Sequence, residues 1–199
     1  EARIKKENRE AREKANREAG EVLWSNSRVP SRHSDFILPH NGPWKDAFDH
    51  LRDKLGAGCL YVVMGNRGTG KTQLGTALIA ENCRVNYRSS FYVKALDVFI
   101  ALREAYRKEG DAESAVIKRF TGPSLLVIDA MEERGETAFE DRLLNHIIDK
   151  RYDNMDDTIL ITNQTPEAFA TSAGPSIVSR IHETGDKVVC DWESFRKKP

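Results

Sequence analysis

The sequence has little of what would tie it to a membrane, a disulfide framework or a metal. Its 199 residues include three cysteines, Cys59, Cys83 and Cys190, odd in number and far apart. That usage fits buried thiols in a reducing cytosol and argues against a disulfide scaffold or a zinc site. His33, His40, His50, His146 and His182 show no ligand spacing, so zinc, haem and nucleophilic triads have no support. Long apolar runs are missing. Apolar runs such as Leu60–Met64 and Leu125–Ile128 fall far short of the ~20 residues that a bilayer span requires. Net charge is nil, with 31 basic and 31 acidic side chains, so any nucleic-acid binding has to come from a local patch. No signal peptide is visible, and a cytoplasmic location is expected. The chain opens at Glu1 without a methionine, so an N-terminal portion is expected to be missing.

What remains is the size of one ordinary domain with an appendage. Residues 1–23 are charge-rich, contain no proline and carry a narrow stripe of Ile4, Ala11, Ala15, Ala19 and Val22 at helical spacing. Such a run reads as a solvated helix or as a docking helix for a partner, and residues 24–43, with Pro30, Pro39, Gly42 and Pro43, as an irregular linker. The expected division is a charged helix and linker over 1–35 and a core domain over 36–199. From Trp44 onward helical and strand patterns alternate. Strands are expected at Leu60–Met64, Ser90–Val93, Leu125–Asp129, Thr158–Thr162 and Lys187–Cys190. Alternation of this kind means crossover connections, hence an α/β fold with a mostly parallel sheet between helices.

The chemistry begins at Gly65-Asn66-Arg67-Gly68-Thr69-Gly70-Lys71-Thr72, which satisfies G-x-x-x-x-G-K-[ST] between an apolar strand and a helix. Glycines let the backbone curl so that successive N–H groups face phosphate oxygens, and the following helix presents its positive end to the same anion. Lys71 is expected to reach the β- and γ-phosphates of ATP, and Thr72 to place its hydroxyl on Mg²⁺. The apolar strand ending in Asp129 is expected to supply the acid that completes the Mg²⁺ site. NTPases with an added catalytic glutamate place it directly after this aspartate, where the chain has Ala130. An alanine can neither accept a proton nor orient water, so hydrolysis is expected to be impaired. Glu132 and Glu133 follow, but the register along the chain is expected to aim them elsewhere.

With these motifs, the strand TILITNQT and the tail DWESFR, the chain resembles the DnaC-type helicase loaders and the related IstB transposition ATPases of the AAA+ class, from about Phe36 to Arg196. The resemblance implies an AAA+ P-loop ATPase with five parallel strands and, with only three residues after Arg196, no C-terminal helical lid. It implies that Asn163 is the sensor-1 residue that orients water and that Arg180 is an arginine finger acting in trans. Arg196 becomes a sensor-2-like contact. A finger in trans implies a homo-oligomer, a ring or spiral. The loader branch implies delivery of a replicative hexameric helicase onto single-stranded DNA, and the transposition branch a duplex-DNA role. In relatives the element between the second strand and the Asp129 strand lines single-stranded DNA. Here Arg103, Tyr106, Arg107, Lys108, Lys118 and Arg119 give it a basic and aromatic mix, with Lys94 a weaker candidate. Phe36 and Ile37 are candidates for packing near the adenine, while Trp44, Phe48 and Leu51 read as core.

Overall fold

The computed structural model describes residues 2–35, 41–107 and 112–196. Five strands, β1 (Leu60–Gly65), β2 (Ser90–Lys94), β3 (Leu125–Asp129), β4 (Asp157–Thr162) and β5 (Lys187–Cys190), form one sheet in the order β2-β3-β4-β1-β5. Every pairing is parallel, as expected from the alternating pattern. The strands β1 to β4 are buried along nearly their whole length, which is why the sequence writes them as unbroken apolar runs. The outer strand β5 is exposed at alternate positions.

Strand alternation divides the core in two. Tyr61 and Val63 share one face with Leu74 and Leu78 of α3 (Lys71–Arg84) and with Trp44, Phe48 and Leu51 of α2 (Pro43–Arg52). Val62 and Met64 share the other with α4 (Ala95–Tyr106), α5 (Ala112–Thr121), α6 (Ala138–Asp153), α7 (Pro166–Ala173) and α8 (Pro175–Thr184), through residues such as Leu102, Phe120, Ile147, Phe169 and Ile177. The strand order reverses beside β1, because α3 carries the chain to the far edge before β3 and β4 fill the gap. In open α/β sheets the crevice at the carboxyl ends of such strands is where ligands bind.

One buried charge organises the opposite end of the sheet. Arg151 of α6 is fully buried, and its guanidinium donates to Thr158 Oγ1 (2.8 Å) and to the carbonyls of Phe120 (3.0 Å), Pro123 (2.8 Å) and Asp157 (2.5 Å). It thereby ties the end of α5 and the starts of β3 and β4 together. Burial lowers its pKa to about 10, which leaves it charged at neutral pH.

The N-terminal helix α1 runs Ala2–Asn26, past the boundary expected for it. Residues 6–19 are almost wholly exposed and carry the i,i+4 ion pairs Lys6–Glu10, Arg9–Glu13 and Lys14–Glu18, the solvated-helix pattern. Its last turns differ. Glu21 pairs with Arg84 of α3 at 2.8 Å, Arg84 lies 4.4 Å over the Trp24 ring, and the buried Ser27 offers its carbonyl to the Tyr92 N–H at 2.7 Å. The segment expected to be linker thus begins by covering the outer edge of β2, where an unpaired strand would otherwise stand open.

Candidate nucleotide site

The phosphate loop joins β1 to α3. Gly68 and Gly70 hold φ of +88° and +82°, a region that side-chain-bearing residues rarely adopt. A Cβ on Gly68 would also stand 2.0 Å from Ser194 Oγ, and one on Gly70 2.9 Å from Trp44 Nε1. The backbone requires glycine at both positions, and at Gly70 a side chain would also press on the buried Trp44 indole. Three donors engage consecutive carbonyls of the loop. Phe195 N–H donates to Gly68 O (2.9 Å), Trp192 Nε1 to Thr69 O (2.9 Å) and Trp44 Nε1 to Gly70 O (3.2 Å). Across a planar trans peptide the N–H points opposite the preceding carbonyl. The N–H groups of Thr69, Gly70 and Lys71 therefore face away from those donors, into the loop, where an anion would lie.

Lys71 occupies the centre of this curl. Its ammonium donates to the carbonyls of Gly65 and Asn66, each at 2.7 Å, and burial holds its pKa below the usual lysine value. The charges of Glu132 and Asp129 pull the other way, so both carboxylates lie within electrostatic reach of the loop. Thr69 Oγ1 donates to Asn66 O at 2.9 Å and closes the turn. The exposed side chain of Arg67 faces solvent.

Asp129 ends β3 across from the loop. Its Oδ2 accepts from Thr72 Oγ1 and from Tyr92 Oη, both at 2.7 Å, and its Oδ1 from the Ala130 N–H at 2.8 Å. The Thr72–Asp129 pair is a hard-oxygen donor set suited to Mg²⁺, an ion that takes few protein ligands when phosphate oxygens supply others. Among the described residues no group of three or more His, Cys, Asp or Glu is placed to hold a metal alone. Tyr92 was not anticipated. It sits on the middle strand position whose partner is Val127, and burial together with Asp129 raises its pKa far above the usual phenol value, so it remains a donor.

The turn after Asp129 departs from the sequence expectation. Ala130 adopts φ 56°, ψ 50°, a left-handed conformation that swings the chain into a short 3₁₀ turn over Met131–Glu133. Met131 and Arg134 are both buried, and Arg134 ties the turn to Asp141 of α6 (2.6 Å) and to the Ser172 carbonyl of α7. Between these anchors Glu132 turns toward the end of β4. It accepts from Thr162 Oγ1 (3.1 Å), from the Asn163 N–H (3.1 Å) and from Asn163 Nδ2. Glu132 therefore lies against Asn163 and is not aimed elsewhere; the left-handed residue at 130 is what changes its direction. Glu133 is exposed.

Residues 59–199 match the family model described as IstB-like ATP binding protein. The chain belongs to this family of IstB-like ATP-binding proteins. Among curated relatives, the replicative helicase loader DnaC of Escherichia coli K12 is 25% identical over 139 residues, covering 69% of this chain and 56% of DnaC. The uncharacterized protein YdaV of the same organism is 30% identical over 148 residues, covering 73% of this chain and 59% of YdaV. The chain thus spans little more than half the length of these relatives. A crystal structure of the DnaC helicase loader superposes with a TM-score of 0.68 at 22% identity, over 80% of this chain and 99% of that one, a likeness of fold. The AAA+ P-loop architecture expected from the sequence stands.

Within this IstB-like domain the remaining candidates fall in three places. Arg196 lies beside the phosphate loop, its Cδ 3.4 Å from where a Gly68 Cβ would be, and its charge acts on Lys71. Arg180 lies on α8 outside this chain's own phosphate loop. It pairs with Asp149 at 2.9 Å, donates to the Ser176 carbonyl at 3.1 Å and stands 5.3 Å over the Tyr152 ring. Of the candidates for DNA contact, Arg103 pairs with the buried Glu140, Arg119 stacks 5.0 Å over Phe91, and Tyr106 meets Phe139 edge-on at 5.5 Å. Lys94, Arg107 and Lys118 are exposed. Lys108, Phe36 and Ile37 lie outside the described residues. Among the described residues no helix is long and apolar enough to cross a membrane.

Proposed function

We propose that the chain is the ATPase part of a loader that delivers a hexameric replicative helicase onto single-stranded DNA. The observation that carries this reading is the conjunction of a complete phosphate site with similarity to DnaC, a replicative helicase loader, over 69% of the chain. Lys71 and the inward N–H groups of the loop bind the phosphates, and Thr72 and Asp129 hold Mg²⁺. The ion neutralises charge on the β- and γ-phosphates. Asn163 orients water, Arg196 contacts the nucleotide from the tail, and Arg180 acts on the γ-phosphate of a neighbouring subunit in a ring or spiral. To do so it must leave Asp149, so the in-trans contact competes with a pair inside the subunit. ATP binding drives subunit association and DNA engagement, and hydrolysis, slowed by Ala130, releases the loader.

Exposed Lys94, Arg107 and Lys118 are the DNA-tracking charges, with Arg103, Tyr106 and Arg119 shaping the element around them and Lys108 a further candidate for DNA contact. The test is fluorescence anisotropy with single-stranded and duplex DNA of equal length, with and without ATP. ATP-dependent preference for the single strand is expected, and Lys118→Ala should lower the slope of log affinity against log salt by about one. Preference for duplex instead supports the transposase-linked reading. Co-purification of the full-length protein with a hexameric replicative helicase tests the partner directly.

A further inference from the structure

We propose that Glu132 carries the water-polarising carboxylate of this site, the task for which Ala130 has no functional group. The inference rests on the reading of the chain as an ATPase. Three observations converge. The left-handed backbone at Ala130 turns the chain directly after Asp129 into the 3₁₀ turn over Met131–Glu133, from which Glu132 meets the end of β4. Met131 and Arg134 are buried on either side of Glu132, and Arg134 is bonded to both α6 and α7, so the turn is held from two directions. Glu132 itself is half-buried, lies within electrostatic reach of Lys71, and touches the one residue expected to orient water.

The bonds that Glu132 accepts leave one of its oxygens able to accept another. Glu132 Oε2 accepts twice, from Thr162 Oγ1 and the Asn163 N–H, while Oε1 accepts from Asn163 Nδ2. An ionised carboxylate offers about four lone-pair sites, so Oε1 retains one. With its Nδ2 donating to Glu132, Asn163 keeps the Oδ1 of the same amide as an acceptor. A water held by both has each of its protons on an acceptor and a lone pair free to attack. In the step itself the water oxygen bonds to the γ-phosphorus as the bond from phosphorus to the β–γ bridging oxygen breaks. One water proton passes to Glu132 and then to the released phosphate, and ADP departs with the bridging electrons.

The experiment compares four chains: the parent, Glu132→Gln, Ala130→Glu and the double variant. Each is measured for steady-state ATP turnover with single-stranded DNA, for affinity toward a fluorescent ATP analogue, and for thermal unfolding. Glu132→Gln should lower the parent's turnover about 100-fold or more while affinity stays within about twofold. With Ala130→Glu present, the same substitution should cost only about threefold, because the two carboxylates serve one task and their losses do not add. Unchanged turnover in Glu132→Gln overturns the proposal. An equal loss in both backgrounds also overturns it, since Glu132 would then act only by positioning Asn163. A parent that binds ATP without turnover while Ala130→Glu turns over overturns it as well. If neither turns over though both bind ATP, the ATPase reading itself fails. Should Glu132→Gln unfold, Glu132→Asp replaces it, with partial loss expected in the parent and full turnover overturning the proposal.

Discussion

The phosphate loop and the turn after Asp129 lie along one edge of the same sheet, yet they are held in opposite ways. The loop is a short local segment fastened from outside by Phe195, Trp192 and Trp44, each donating to one carbonyl. The turn is fastened from beneath by Met131 and Arg134, and its Glu132 is bonded to the end of another strand at Asn163. Binding groups thus come from one chain and largely from one segment. In the proposed function the hydrolytic groups come from several segments and, through Arg180, from a second subunit. The difference teaches that nucleotide binding and turnover can be altered separately here, and substitutions should sort cleanly between them.

The sharpest separation is expected at Arg180. An arginine finger contributes about 10³-fold or more to turnover. Arg180→Ala should therefore reduce ATP hydrolysis by about that factor at protein concentrations that favour assembly, while leaving the affinity of the isolated chain for a fluorescent ATP analogue unchanged. A loss of affinity instead would place Arg180 within its own subunit's site and break the comparison. Lys71→Ala should do the reverse. Charge-assisted hydrogen bonds are worth about 1.5–3 kcal/mol, so affinity should fall by up to about 100-fold in the same titration. Turnover at saturation is then the informative residue of the effect.

How much of this was legible in the sequence follows from the same contrast. The loop could be read because its constraints are local: glycines at fixed offsets, a lysine and a threonine, between a strand and a helix. The inner strands could be read because burial on both faces leaves apolar runs such as Leu125–Ile128, whereas β5, exposed at alternate positions, offers only the short pair Val188–Val189. Tyr92 could not be read, because its bond to Asp129 depends on β2 and β3 lying side by side in a register that places Lys94 opposite Asp129. Trp44 reads as core, and it is buried, but its indole nitrogen also reaches Gly70 from a helix 26 positions earlier. The direction of Glu132 is not legible for a different reason. A register argument assumes extended or helical backbone, and Ala130 is neither, since nothing in an alanine announces a left-handed φ. Helices α7 and α8 had only one signal in common, a proline at the first turn of each, at Pro166 and Pro175.

Trp192 gives the smallest expected effect and the finest test of the contrast. Its indole N–H donates to Thr69 O at 2.9 Å from a half-buried ring, on the side of the phosphate loop held by the tail. Trp192→Phe keeps an aromatic ring and removes the donor together with the five-membered part of the indole. A hydrogen bond of this kind contributes about 1 kcal/mol net, so the loop should lose some of its preference for the anion-binding curl, and nucleotide affinity should fall about fivefold. Turnover at saturating ATP should not change, because no group that meets water or the γ-phosphate has moved. The decisive measurement is the split between KM and kcat in one steady-state titration. A fall in kcat at constant KM would mean that the tail reaches across to the hydrolytic half, and that the two halves are coupled through residues 192–196, not merely adjacent along the sheet edge.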